Sequence, residues 1–142
     1  MKNNQHKYLS NNLHDTENIA DNISQLPLID SVIYLEGNIG SGKTFIAKRI
    51  AANFGINNFS SSSFQVLSVY KSSINLIHCD LYRHYSESDL IINEIYEHLN
   101  SPWLLIIEWP KFIFPISAKN FYRISIINTG INKRTIEIII ND

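Results

Sequence analysis

Short apolar runs alternate with amphipathic stretches along the chain, and this alternation predicts an α/β domain. Residues 31–35 (SVIYL) form a short apolar, β-branched run that leads directly into a glycine-rich loop, which is typical of a buried strand. After the loop, Ile46, Ile50 and Phe54 recur at helical spacing, and Gly55 stands where a left-handed helix cap belongs. Strand, glycine loop and helix therefore follow one another.

Two further helices are predicted from caps and apolar stripes. The first begins with Asp15 or Thr16 as its cap, after a short segment at residues 7–9, and it ends before Pro27. The second covers residues 86–99, with Ser86 as its cap.

The remaining apolar runs predict strands at residues 64–70, 74–79, 103–107, 121–127 and 134–140. The last two surround an Asn-Thr-Gly-Ile-Asn turn, so they should form an antiparallel hairpin. The pattern predicts a three-layer α/β domain with a mainly parallel sheet and a C-terminal antiparallel hairpin. We expect residues 1–142 to form this single domain.

Charge and composition exclude several classes of protein. Lys and Arg number 12 against 13 Asp and Glu, so the chain lacks the basic surplus of a protein that grips nucleic acid by itself. The only cysteine, Cys79, permits neither an intrachain disulfide nor a thiolate metal cage. Because no apolar run is long enough for a signal peptide core or a membrane span, we expect a cytoplasmic protein with no membrane anchor.

A phosphate-loop pattern, G-x-x-x-x-G-K-[ST], follows the first buried strand. In such a loop, glycines let backbone N–H groups turn toward phosphate oxygens, and the following helix N-terminus adds a favourable dipole. The lysine reaches the β- and γ-phosphates, and the hydroxyl residue ligates Mg²⁺. The residues are Gly37, Asn38, Ile39, Gly40, Ser41, Gly42, Lys43 and Thr44.

Two strands end in carboxylates that suit a nucleotide site. Residues 104–107 followed by Glu108 have the form of a Walker B strand, whose acid holds Mg²⁺ directly or through water. Asp80 ends another predicted strand and could bind the metal or orient an attacking water. Trp109 could flank a nucleotide. His78 is interpreted as a packed, hydrogen-bonded core histidine.

These motifs together resemble the TsaE (YjeE) family, the small ATPase of bacterial tRNA threonylcarbamoyladenosine synthesis. The family motifs are G-D-x-G-x-G-K-T, S-P-T-[FY], H-x-D-L-Y-R and E-W-P. They correspond here to residues 37–44, 61–64, 78–83 and 108–110. The last two motifs are specific, since phosphate-loop proteins in general do not carry them.

The resemblance implies an ATP- and ADP-binding protein that requires Mg²⁺. It implies that Lys43 and Thr44 hold phosphate and metal, that Glu108 is a further metal ligand, and that Asp80 assists hydrolysis. Thr16 would lie near the adenine, and Arg134 would approach the nucleotide. The family acts with TsaD-like and TsaB-like partners, so tRNA would be reached indirectly, through the complex.

Some positions depart from the family pattern and keep alternatives open. Asn38 replaces an aspartate, and Ser62 and Ser63 replace the proline and threonine of the second motif. Glu94 stands where a glycine is expected. The chain could therefore be a nucleotide-dependent binding module with little turnover. A deoxynucleoside kinase is a further alternative, although 142 residues with four arginines leave little for a phosphoryl-clamping lid.

Overall fold

The computed structural model describes residues 4–60, 66–82, 89–110 and 114–141, which form a seven-stranded sheet and three helices. Within these residues, no helix is both long and apolar enough to cross a bilayer. The elements are β1 (Asn4–Ser10), α1 (Leu13–Ser24), β2 (Ser31–Gly37), α2 (Lys43–Asn53), β3 (Leu67–Lys71), β4 (Asn75–Asp80), α3 (Asp89–Glu97), β5 (Trp103–Glu108), β6 (Phe121–Gly130) and β7 (Lys133–Asn141).

The sheet is mixed, in the order β1-β7-β6-β2-β5-β4-β3, which corrects the expectation of a mainly parallel sheet. The central strands β6, β2, β5 and β4 are parallel, whereas β1, β7 and β3 pair with antiparallel neighbours. Only Ser72, Ser73 and Ile74 join β3 to β4, and Ser72 N–H donates to Ile74 C=O at 3.0 Å. A link this short can only return the chain in the opposite direction.

The helices lie on both faces of the sheet because the central strands are apolar on both sides. Ile33 and Leu35 point toward α1 and α2, in one hydrophobic cluster. Val32 and Tyr34 point toward α3, in the other. We call these the α1/α2 face and the α3 face. The domain therefore has three layers.

The first strand, β1, is an edge strand that the hydrophobic pattern does not predict beyond residues 7–9. It pairs along its whole length with β7, from Asn4 opposite Ile140 to Ser10 opposite Arg134. Residues 4–7 are polar and exposed, so they carry no burial pattern. Their extended conformation comes from pairing with a strand at the other end of the chain.

The first helix begins earlier than predicted. Asn12 is the N-cap, and its Oδ1 accepts a hydrogen bond from Asp15 N–H at 2.8 Å. Thr16 is therefore inside α1, where it is fully buried. At the end of α2, Gly55 has a φ of 82°, the left-handed conformation predicted for it.

Other element boundaries shift by a few residues. The strand predicted at residues 64–70 begins at Leu67, and the helix predicted at residues 86–99, described as Asp89–Glu97, ends two residues earlier than predicted. Phe64 and Ser86 lie outside the described residues. β6 and β7 pair antiparallel and extend into the predicted turn, so only Ile131 and Asn132 separate them.

Candidate functional site

The phosphate loop joins β2 to α2 at the edge where the parallel strands end. This is the edge at which open α/β sheets bind ligands. Gly37 approaches the neighbouring strand so closely that an added Cβ would lie 2.7 Å from the carbonyl oxygen of Ile126. Gly42 is the N-cap of α2 with a left-handed φ of 111°. Glycine is required at both positions, the first for space and the second for conformation.

Lys43 is folded back over its own loop. Its Nζ donates to the carbonyl oxygens of Gly37 and Asn38, at 2.5 and 3.0 Å, and lies 4.0 Å from the centre of the Trp109 ring. Burial lowers the pKa of the Lys43 ammonium, against the opposing effect of the Glu108 and Asp80 carboxylates. A poorly hydrated cation held inside a loop of backbone amides is suited to binding phosphate oxygens.

Thr44 and Glu108 meet across the loop, since Thr44 Oγ1 donates to Glu108 Oε1 at 3.0 Å. A hydroxyl and a carboxylate are hard oxygen ligands, and P-loop proteins hold Mg²⁺ with this pair plus phosphates and water. The donor set therefore fits Mg²⁺. In the described part of the chain, no cluster of three or more His, Cys, Asp or Glu side chains could hold a metal alone.

Asp80 lies directly opposite Glu108 in the register between β4 and β5. Its Oδ1 accepts a hydrogen bond from Tyr82 N–H at 3.0 Å, which fixes the direction of the carboxylate. Trp109 follows Glu108 with a left-handed φ of 56°, and its ring contacts that of Tyr82, with centroids 4.9 Å apart. Asp80, Glu108 and Trp109 thus form one wall facing the loop.

A cleft of about 360 Å³ lies between this wall and the phosphate loop. Phe45 and Tyr82 also line it, and neither was predicted from the sequence, since no motif assigns them a ligand role. The predicted site residues that line the cleft are Ile39, Gly40, Gly42, Lys43, Thr44, Asp80, Glu108 and Trp109.

The remaining residues of the loop face elsewhere. Gly37 and Asn38 line a smaller neighbouring cavity on the other side of Trp109. Ser41 is buried, its N–H donates to Asn38 C=O at 3.0 Å, and its Oγ has no hydrogen-bond partner among the described residues.

Thr16 and Arg134 meet behind the loop, outside the lining of the cleft. Arg134 Nη1 donates to Thr16 Oγ1 at 3.4 Å, and Thr16 Oγ1 also bonds Ser10 Oγ at 2.6 Å. The Arg134 guanidinium lies 3.5 Å from the position that a Cβ on Gly42 would occupy. Its Nε is buried without a partner in the described chain. Thr16 and Arg134 therefore contact each other, and Arg134 also lies next to Gly42 at the end of the loop.

His78 is a residue of the site whose role the sequence did not indicate. It is buried and packed, as interpreted, with its ring centroid 4.9 Å from that of Phe59. Its partner, however, is Glu108: the two form a buried contact through His78 Nε2 and Glu108 Oε2. A weak indication was available, since His78 lies two residues before Asp80 and so shares its face of the strand.

A glycine loop between a parallel strand and a helix, beside a second strand that ends in an acid, defines the class of P-loop nucleotide-binding domains. The chain also matches, over residues 10–136, the family model for the threonylcarbamoyl adenosine biosynthesis protein TsaE. It therefore belongs to the TsaE family.

Individual relatives agree with this assignment. A protein of Rickettsia felis named tRNA threonylcarbamoyladenosine biosynthesis protein TsaE is 32% identical, over 92% of this chain and 78% of its own length. A protein of Borreliella burgdorferi with the same name is 36% identical, over 65% and 69%. The crystal structure of Bacillus YdiB superposes with a TM-score of 0.73 at 25% identity, covering 98% of this chain and 87% of the other.

Proposed function

We propose that this protein is a Mg²⁺-dependent ATPase that supports threonylcarbamoyladenosine formation on tRNA. In this proposal it works in the cytoplasm with TsaD-like and TsaB-like proteins and reaches tRNA through their complex. Hydrolysis is slow in the isolated protein. Its family membership and the names of its relatives support a role in threonylcarbamoyladenosine biosynthesis.

The observation that carries the proposal is the convergence of Lys43, Thr44 and Glu108 on one cleft. Lys43 would exchange its backbone carbonyl partners for β- and γ-phosphate oxygens. Thr44 and Glu108 would hold Mg²⁺, which neutralises charge on the phosphates. Asp80, fixed by Tyr82 N–H, is the carboxylate that would contact the metal through water or orient the attacking water.

The net charge of the chain and the side chains of its cleft support the proposal that it acts with partner proteins. With a net charge of -1, it has no basic excess that would bind tRNA directly. Among the described residues that line the cleft, the charged side chains are Lys43, Asp80 and Glu108, and each already has a role toward the nucleotide or its metal in this proposal. We therefore assign the transfer of the carbamoyl group to a partner.

One feature favours the alternative of a binding module with little turnover. Asn38 brings no charge to the loop, and its backbone carbonyl accepts a hydrogen bond from Lys43. The loop therefore lacks the negative charge that the family pattern places beside the phosphates, which favours binding over turnover. Phosphate release distinguishes this alternative from the ATPase.

Nucleotide binding can be followed through Trp109 fluorescence. Trp103 lies at the opposite end of β5, so Trp103→Phe should leave a signal from the site alone. We expect Mg²⁺-ATP and ADP to change this signal. Lys43→Ala should weaken binding about 10- to 100-fold, because a charged hydrogen bond contributes about 1.5–3 kcal/mol.

Lys48→Ala is the matched control, since Lys48 lies on the same helix but is exposed. It should bind nucleotide as the parent does. If the parent shows no response, or if Lys43→Ala binds equally well, the phosphate-loop assignment is wrong.

Turnover is tested by reconstituted tRNA modification with TsaD-like and TsaB-like proteins. We expect modification and phosphate release to require this protein, and Asp80→Ala and Glu108→Ala to abolish both. Tight binding without phosphate release, even with the partners present, would support the binding module. A phosphorylated nucleoside among the products would support a kinase instead.

A further inference from the structure

The buried pair of His78 and Glu108 joins the two strands that frame the cleft. β4 and β5 are parallel neighbours, with His78 opposite Ile106 and Asp80 opposite Glu108. His78 and Glu108 are therefore diagonal neighbours, both on the α1/α2 face. Their side chains are 5% and 2% exposed, so water does not compete for the contact.

The two oxygens of Glu108 have different partners. For the carboxylate to accept hydrogen bonds at both oxygens, His78 must be the tautomer that donates from Nε2 to Oε2. Oε1 accepts from Thr44 Oγ1, and Thr44 and Glu108 both line the cleft. With Oε2 held by an imidazole, the carboxylate cannot rotate freely, and Oε1 stays directed at the Thr44 hydroxyl.

The His78 ring is itself held in place. Phe59 packs against it, and Phe59 in turn stacks on Tyr70, with ring centroids 5.2 Å apart. The Tyr70 hydroxyl bonds the backbone of Ser60 at 3.1 Å. Packing therefore fixes the orientation of the imidazole ring. In metal sites, a hydrogen-bond partner that does not itself touch the metal orients the ligating side chain in this way.

We propose that His78 is a positioning residue, which holds Glu108 so that Oε1 and the Thr44 hydroxyl receive Mg²⁺ together. This inference rests on the proposed function, since it concerns the metal of the same nucleotide site. His78 is not among the residues that line the described cleft. Its effect is on the magnesium-dependent part of nucleotide binding, through Glu108.

The role predicts a specific pattern among substitutions at position 78. Gln can place an amide N–H close to the position of Nε2, whereas Asn is too short and mimics Nδ1. Phe keeps the ring but has no donor. Loss of an outer partner typically weakens metal affinity about 10- to 100-fold. We therefore expect His78→Phe and His78→Asn to lose most of the magnesium effect and His78→Gln to retain it.

The experiment measures nucleotide affinity by Trp109 fluorescence, once in excess Mg²⁺ and once in excess EDTA. A magnesium titration at saturating ADP then gives the half-maximal metal concentration. We expect His78→Phe to raise that concentration about 10- to 100-fold, with the affinity in EDTA almost unchanged. Leu76→Ala is the matched control, because Leu76 precedes His78 on the same buried face and has no polar role.

Each outcome is decisive. If His78→Phe weakens binding equally with and without Mg²⁺, as Leu76→Ala would through instability, the role is structural and the inference is wrong. If His78→Phe does not fold, equal magnesium responses of His78→Gln and His78→Asn overturn it. If the unsubstituted protein shows no magnesium effect, the proposed function itself fails.

Discussion

The two faces of the central sheet differ in what they bury. The α3 face is covered by one apolar cluster, in which Val32, Leu105 and Ile107 are fully buried. The α1/α2 face carries a similar cluster, but it also buries polar and charged side chains close to the ends of the strands. Those side chains are Ser10, Thr16, Ser41, Lys43, His78 and Glu108; Ser31 is also buried, but at the opposite end of β2 from the phosphate loop.

This difference indicates that one face of the sheet mainly provides stability and the other also forms the binding site. Buried charge is unfavourable unless it is paired, so a protein retains it where it has a use. The buried part of the α3 face is apolar, and Trp109, which packs against its margin, also lines the cleft. The α1/α2 face gives up part of its apolar burial to hold Lys43, His78 and Glu108. Substitutions on the two faces should therefore separate stability from binding.

The largest effect is expected on the apolar face. Leu105→Ala removes a fully buried side chain beneath α3 and leaves a cavity. We expect the free energy of unfolding to fall by about 2–5 kcal/mol, measured by urea denaturation. Nucleotide affinity, measured where the protein is still folded, should stay within about twofold of the parent. A loss of nucleotide affinity well beyond twofold in the folded variant would show that the α3 face also determines binding.

A smaller effect on stability and a larger one on binding are expected on the other face. Thr44→Ala removes the donor to Glu108 Oε1 and one ligand of the proposed metal site. We expect the free energy of unfolding to fall by about 1 kcal/mol and nucleotide affinity in Mg²⁺ to fall about tenfold. Thr44→Ser keeps the hydroxyl and should bind as the parent does. Equal losses in both variants would mean that the hydroxyl is not the ligand.

The smallest effect concerns Cys79, which is buried on the α3 face. Burial, with a further contribution from Asp80, raises the pKa of its thiol from 9.0 to about 12. Above pH 9.0 the unfolded chain releases this proton while the folded chain keeps it, so stability is complete at lower pH and falls as the pH rises. Cys79→Ala should be less stable at neutral pH, and the gap should narrow in alkaline urea titrations. A constant gap would contradict the shift.

The sequence predicts the centre of the fold better than its edges. β2 and β5 are buried along most of their length and α2 along one stripe, so their apolar patterns are strong, and the structure confirms all three. β1 carries exposed polar residues and is a strand only because β7 pairs with it. The hydrophobic pattern of a segment does not indicate which distant segment of the chain it will pair with.

The candidate site shows the same difference between local motifs and distant contacts. Lys43, Thr44 and Glu108 belong to motifs whose spacing reflects one mechanism, and the structure brings them to one cleft. The contact of His78 with Glu108 joins residues 30 positions apart, and that of Arg134 with Thr16 joins residues 118 apart. Such contacts depend on strand order, which the motifs do not specify.

The polar edge strand also has a consequence for how molecules of this protein behave toward one another. β7 contains the run of residues 135–140, Thr-Ile-Glu-Ile-Ile-Ile, whose high β-propensity and low charge are typical of segments that stack into fibrils. β1 covers its outer backbone edge and offers neighbouring molecules Asn4, Gln5, His6 and Lys7 instead. Without β1, the backbone edge of β7 would be free to pair with strands of other molecules, so β1 limits aggregation at high protein concentration.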